Sequence, residues 1–97
     1  MPSVISTHVL DTARGEPARG VRVQVFRGDE LVAERETDDD GRVRDLADVE
    51  AGTYRLVFHP PSPFFRRVEA EVEIEDGRDY HVPLLLSPYA CVIYRGS

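Results

Sequence analysis

From Val68 to Glu75 apolar and acidic residues alternate without a break: Val68, Ala70, Val72 and Ile74 against Glu69, Glu71, Glu73 and Glu75. A period of two sends successive side chains to opposite faces, so this segment predicts a strand with one apolar and one wet face. Asp76-Gly77 follows, a dipeptide that supplies the positive φ of a tight turn, and Tyr80 to Leu86 resumes an apolar run; the two segments are predicted to pair antiparallel. Upstream, Val21, Val23 and Val25 alternate with Arg22, Gln24 and Phe26, and a Gly28-Asp29 turn leads to a strand near Leu31 to Glu36. Ser3 to Leu10, the segment marked by Tyr54, Leu56 and Phe58, and Ala90 to Tyr94 complete about seven short strands at near-regular spacing. That pattern predicts an all-β protein, a two-sheet antiparallel β-sandwich, rather than a parallel α/β sheet. His59 to Pro63 carries three prolines in five residues and is predicted to be an irregular connection. No segment has a helical period, and no linker, repeat or low-complexity tract interrupts the chain.

Composition narrows the functional classes. The 97 residues hold 12 basic and 18 acidic side chains, a formal charge of −6, in the size range of one domain, taken as residues 1–97. All the basic residues are arginines and they are dispersed, so nucleic acid and anionic membranes are disfavoured as partners. No apolar run approaches the roughly 20 residues of a membrane span, and the N-terminus lacks the basic-then-apolar layout of a signal peptide, so a cytoplasmic location is expected. Cys91 is the single cysteine; it excludes an internal disulfide and any zinc site built on paired cysteines.

Among residues able to carry chemistry, His8 and His81 lie inside strand-like segments, whereas His59 precedes a double proline and reads as a loop residue. An isolated histidine in a strand is most often structural, but two that converge make a natural proton carrier near neutral pH. Asp38-Asp39-Asp40-Gly41 invites a calcium reading, which the spacing refuses: with Gly41 as the loop glycine, the closing bidentate glutamate would fall on Ala47. A solvated acidic turn is the better reading. The glutamates of Glu69 to Glu75 are the wet face of a strand, with nothing to split their pKa values into an acid and a base.

The two ends of the chain carry more specific patterns. Ile5-Ser6-Thr7-His8-Val9-Leu10-Asp11 resembles the opening signature of the transthyretin-related 5-hydroxyisourate hydrolases. Tyr80-His81-Val82-Pro83-Leu84-Leu85-Leu86-Ser87-Pro88-Tyr89, closed by Tyr94-Arg95-Gly96-Ser97, resembles their C-terminal signature. Two stretches depart from the family pattern. Ala90-Cys91-Val92-Ile93 replaces a Gly-Tyr-Ser-Thr stretch, and the segment from Phe58 to Val68 is short and proline-rich where relatives have a short helix.

The resemblance implies a prealbumin-like sandwich, a homotetramer with active sites where dimers meet, a small-molecule substrate, and no metal or other cofactor. It places the family's functional residues on His8, Arg42 of Asp40-Gly41-Arg42, His81, Tyr94 and Ser97. The implied reaction is hydrolytic opening of the cyclic amide of 5-hydroxyisourate during urate breakdown. In it, one of His8 and His81 is the general base, helped by Ser97, while His8, Arg42 and Tyr94 bind the substrate. The competing expectation is a non-catalytic transthyretin-like binding or assembly module with an altered pocket.

Overall fold

The computed structural model describes Met1–Gly96. Its strands are β1 (Ser3–Asp11), β2 (Glu16–Pro17), β3 (Arg22–Arg27), β4 (Glu30–Glu36), β5 (Arg42–Val49), β6 (Gly52–His59), β7 (Val68–Ile74), β8 (Tyr80–His81), β9 (Leu84–Ser87) and β10 (Ala90–Ile93). They form two sheets. One runs β4-β3-β6-β7; the other runs β10-β9-β1-β2, with β5 and β8 also pairing β1. The inward residues of both sheets meet in one core: Ile5 and Val9 of β1, Val23 and Val25 of β3, Leu46 of β5, Leu56 and Phe58 of β6, and Leu84 of β9 are all fully buried. The alternation in β1 and β3 therefore tells inside from outside. In β1, Ile5, Thr7 and Val9 point inward, which turns Ser6 and His8 outward.

Three features differ from the sequence expectation. First, β7 and the strands that follow it do not form a hairpin: β7 pairs β6, whereas β8 and β9 run parallel to β1 in the other sheet. The Asp76-Gly77 turn forms, with Gly77 at φ 71°, but the N-terminus claims the chain leaving it. Ser3 Oγ donates to the Glu75 carbonyl (2.8 Å) and accepts from the Arg78 amide (3.2 Å), and the Val4 amide donates to Asp79 Oδ1 (3.2 Å). Those bonds carry the chain across to β1, so the sheet is mixed rather than purely antiparallel. Second, Tyr80 to Leu86 is two strands; Pro83, which has no amide hydrogen to donate, lies between them. Third, β5, like the two-residue β2, has no counterpart among the predicted strands. Its pairing with β1 shifts between Ile5 and Thr7, where Ala47 and Val43 are the partners. The resulting bulge puts Arg44 and Asp45 consecutively outside and Leu46 and Ala47 consecutively inside, which erases the period of two.

Candidate active site

The outer face of β1 and its neighbours collects the reactive side chains. In the antiparallel β1–β5 pair His8 faces Arg42, and in the parallel β1–β8 pair Ser6 faces His81. Directly opposed residues share a face, and Ser6 and His8 are two apart on one strand, so these pairings alone bring both histidines and Arg42 to one patch. A cleft of about 210 Å³ opens there, lined by Ser6, Thr7, Arg42, Arg44 and His81.

His81 is the most constrained member. The Val82 amide donates to the Ser6 carbonyl (2.9 Å) and the buried Thr7 hydroxyl donates to the Val82 carbonyl (2.7 Å), which ties the backbone after His81 to β1. Its ring Nδ1 lies 2.9 Å from Ser6 Oγ. Burial pushes the imidazole below its ordinary pKa, and the positive charges of Arg42 and then His8 lower it further. His81 is thus held neutral at neutral pH, the form that can accept a proton.

His8 is anchored differently. Its Nε2–H donates to the carbonyl of Asp40 (2.8 Å), because a carbonyl can only accept, which leaves Nδ1 as the ring nitrogen outside this bond. The acidic turn supplies that carbonyl. Asp38 Oδ1 accepts from the amides of Asp40 and Arg42, both at 2.9 Å. The Arg42 amide, more than any other neighbour, holds the Asp38 carboxyl below its usual range. Gly41 is required at the apex. It has φ 75°, and a Cβ there would come within 2.5 Å of the Val9 carbonyl oxygen. The Asp-Asp-Asp-Gly run is therefore the turn that launches β5 with Arg42 facing His8.

The C-terminal segment folds back over the same region. The Tyr94 amide reaches the Pro83 carbonyl (3.4 Å), the Arg95 guanidinium stacks 4.6 Å from the centre of the Tyr80 ring, and the Gly96 amide donates to the His81 carbonyl (2.6 Å). Gly96 thereby lands on His81. Ser97, the remaining residue of the terminal signature, lies outside the described residues. Tyr94 is placed elsewhere: with Ala70, Val72, Val82, Ile93 and Arg95 it lines a larger apolar cavity, about 530 Å³, between β7 and the C-terminal segment. So β1, β5 and β8 bring His8, Arg42 and His81 to one sheet face, where Arg42 and His81 line the cleft and Tyr94 does not.

Three residues of the cleft, Ser6, Thr7 and Arg44, were not singled out by the sequence. Ser6 stood only as a letter of the opening signature, and the parallel pairing that sets it beside His81 has no local signal. Arg44 follows Arg42 by two, on the same face of β5, and would have been found had that strand been recognised. Among the described residues no group of three or more His, Cys, Asp or Glu side chains is arranged to hold a metal ion.

A model of the HIUase/Transthyretin family matches residues 5–96. The protein 5-hydroxyisourate hydrolase 2 of Rhizobium meliloti is 41% identical, with 96% of this chain and 95% of that protein covered. The 5-hydroxyisourate hydrolase of Caulobacter vibrioides is also 41% identical, over 98% of this chain and 99% of its own length. The structure of Klebsiella pneumoniae 5-hydroxyisourate hydrolase superposes with a TM-score of 0.88 at 33% identity, covering 98% of this chain and 99% of that one. The match to the Rhizobium protein runs over 114 positions against 97 residues, leaving at least 17 positions opposite gaps in this chain. Identity at this level over nearly the full length, together with the shared fold, means that the chain belongs to the HIUase/Transthyretin family.

Proposed function

We propose that this chain is a single-domain hydrolase that opens the cyclic amide of 5-hydroxyisourate, the compound for which its relatives are named, to 2-oxo-4-hydroxy-4-carboxy-5-ureidoimidazoline in urate breakdown. The observation that carries the reading is the convergence of His8, Arg42 and His81 on one sheet face by strand register, where Arg42 and His81 line a cleft and His81 is held neutral. In the reaction, His81 removes a proton from water as the oxygen attacks the ring carbonyl. The oxygen that gains charge is met by the Arg42 guanidinium, which stays protonated throughout. Collapse of the tetrahedral adduct breaks the C–N bond. The departing nitrogen takes the proton back from the imidazolium, and the new carboxylic acid releases its remaining proton to water to leave a carboxylate. His8, whose Nε2–H is committed to Asp40, orients the substrate, and Arg44 adds positive charge at the rim.

The assembly proposed is a homotetramer in the cytoplasm, with cleft faces of two dimers meeting. In support, β7 and β10 are both open sheet edges flanking the apolar cavity, and such edges invite pairing with another copy. Among the described residues no helix is long and apolar enough to cross a membrane. The test is spectrophotometric decay of freshly generated 5-hydroxyisourate: acceleration by the protein, lost in the His81→Ala variant, supports the reading, and decay at the spontaneous rate overturns it. Light scattering that finds a stable monomer at micromolar concentration would remove the tetramer.

A further inference from the structure

The ring atoms of an imidazole are not equivalent handles. Nδ1 and Cδ2 flank Cγ on opposite edges of the ring, and Nε2 stands at the far end. In His81 both near edges are occupied. Ser6 Oγ is 2.9 Å from Nδ1. On the other edge lies Gly96, so close that a Cβ at position 96 would come within 2.6 Å of Cδ2 and 3.3 Å of Cγ of the ring, and within 3.2 Å of the Pro83 ring. Gly96 is itself fixed by the bond from its amide to the His81 carbonyl. Ser6 is fixed by β1, which pairs with β8 at that position.

We propose that Ser6 and Gly96 are positioning residues that clamp the His81 imidazole from its two edges, Ser6 accepting the Nδ1–H and Gly96 blocking rotation on the Cδ2 side, so that the lone pair of Nε2 faces the cleft. The inference rests on the hydrolase reading for its consequence, though not for its geometry. A ring nitrogen serves as base only when the proton sits on the other one, and the hydrogen bond made by the second nitrogen decides the tautomer. Rotation of the ring by half a turn would exchange Nδ1 with Cδ2 and forfeit the bond to Ser6. Glycine is needed at 96 for lack of a side chain, since its neighbours there are a five-membered proline ring and the imidazole itself. The stiff proline cannot yield, so any larger residue displaces His81.

Long-range ¹H–¹⁵N spectra of the imidazoles at pH 7.5, together with steady-state kinetics, test the clamp in the full chain. The unaltered protein is expected to show neutral His81 with its proton on Nδ1. Ser6→Ala should move the proton towards Nε2, the tautomer that free histidine favours, and lower kcat about tenfold with KM within twofold. Ser6→Thr, which keeps the hydroxyl, should restore both. Gly96→Ala should shift the His81 signals and lower kcat similarly while the melting temperature stays near that of the parent. A proton on Nε2 in the unaltered protein, or an unchanged tautomer in Ser6→Ala, overturns the clamp, and neither result depends on the protein's activity. Failure of the hydrolase reading looks different: the tautomer responds as described, but no variant, nor the parent, accelerates decay of 5-hydroxyisourate.

Discussion

Each sheet of the sandwich has a partly buried histidine on its outer face, His59 on one and His81, beside His8, on the other, and His59 and His81 are treated in opposite ways. On the β4-β3-β6-β7 sheet, His59 Nε2 is bonded to Gln24 Oε1 at 2.7 Å, Gln24 in turn donates to Glu34, and two of the nearby cations, Arg55 (3.5 Å) and Arg67 (2.9 Å), are matched by Glu69, leaving Arg22 without an ion pair among the described residues. On the other sheet Arg42 and Arg44 stand beside His81 with no ion pair to a carboxylate among the described residues. Both histidines are lowered in pKa, chiefly by burial and then by arginines, but glutamates pull His59 back whereas only positive neighbours act on His81. A matched surface spends its hydrogen bonds on itself. An unmatched one keeps positive charge and a neutral base available for a substrate rich in carbonyls, which is the difference between a structural polar face and a site.

The largest effect should come from removing the base. His81→Ala is expected to lower kcat/KM for 5-hydroxyisourate by about a hundredfold or more, with a smaller loss for His8→Ala, while His59→Ala stays within about twofold of the parent. A comparable loss in His59→Ala would erase the contrast between the faces. A loss of only a few-fold in both His8→Ala and His81→Ala would hand the cleft to the binding-module reading.

Next in size is the tail. Chain ends ordinarily fray and tolerate change, yet this one is held through Tyr94, Arg95 and Gly96. Deleting Gly96 and Ser97 should cut kcat at least about tenfold by freeing the His81 ring and removing whatever Ser97 contributes, with little change in oligomeric state or melting temperature. Full activity in the truncated protein would show that the terminal signature has no part in the reaction.

The positive field around His81 also sets the pH profile. A base works when deprotonated, so with His81 lowered the acid limb of kcat/KM should fall below the ordinary histidine value of about 6.5. Arg42→Gln removes the larger of the two charges that lower it, so the limb should move to higher pH, on top of a loss in rate from weaker oxyanion stabilisation. A limb that stays in place would mean that His81 is not the group being titrated.

How much of this was legible in the chain depends on how local each signal is. Strands β3 and β7 were readable because their apolar and polar residues alternate; β1 was recognised as a strand, but Ser3 and Thr7 are among its inward residues, so the burial alternation that turns His8 outward was not legible in its letters. β5 was illegible because a bulge broke its period, and with it went Arg44. The supposed hairpin after β7 failed for another reason: Asp76-Gly77 specifies a turn but not the partner of the strand beyond it, which Ser3 and Val4, more than 70 residues away, decide. The parallel pairing that joins Ser6 to His81 is equally non-local. Identification of His8, Arg42 and His81 came through family resemblance, whereas their convergence needed the register.

The smallest effect separates the two histidines through stability instead of rate. His59 has a folded-state pKa below its ordinary value, from burial first and then from Arg22 and Arg67. A histidine held neutral in the fold binds a proton more readily once unfolded, so its contribution to stability is complete above about pH 6.5 and is lost as pH falls through the folded-state value. The same sign applies to His81. His59→Gln keeps a polar partner for Gln24 but cannot charge, and should therefore flatten slightly the fall in melting temperature between pH 6.5 and 5 while leaving kcat/KM unchanged. The His59 ring is only partly covered, so solvent screening keeps the difference small, and the matched glutamates around it make it smaller than the corresponding change at His81. If His59→Gln steepened the acid loss, or if it moved the acid limb of kcat/KM, the ion-matched face would be doing the work assigned to the unmatched one.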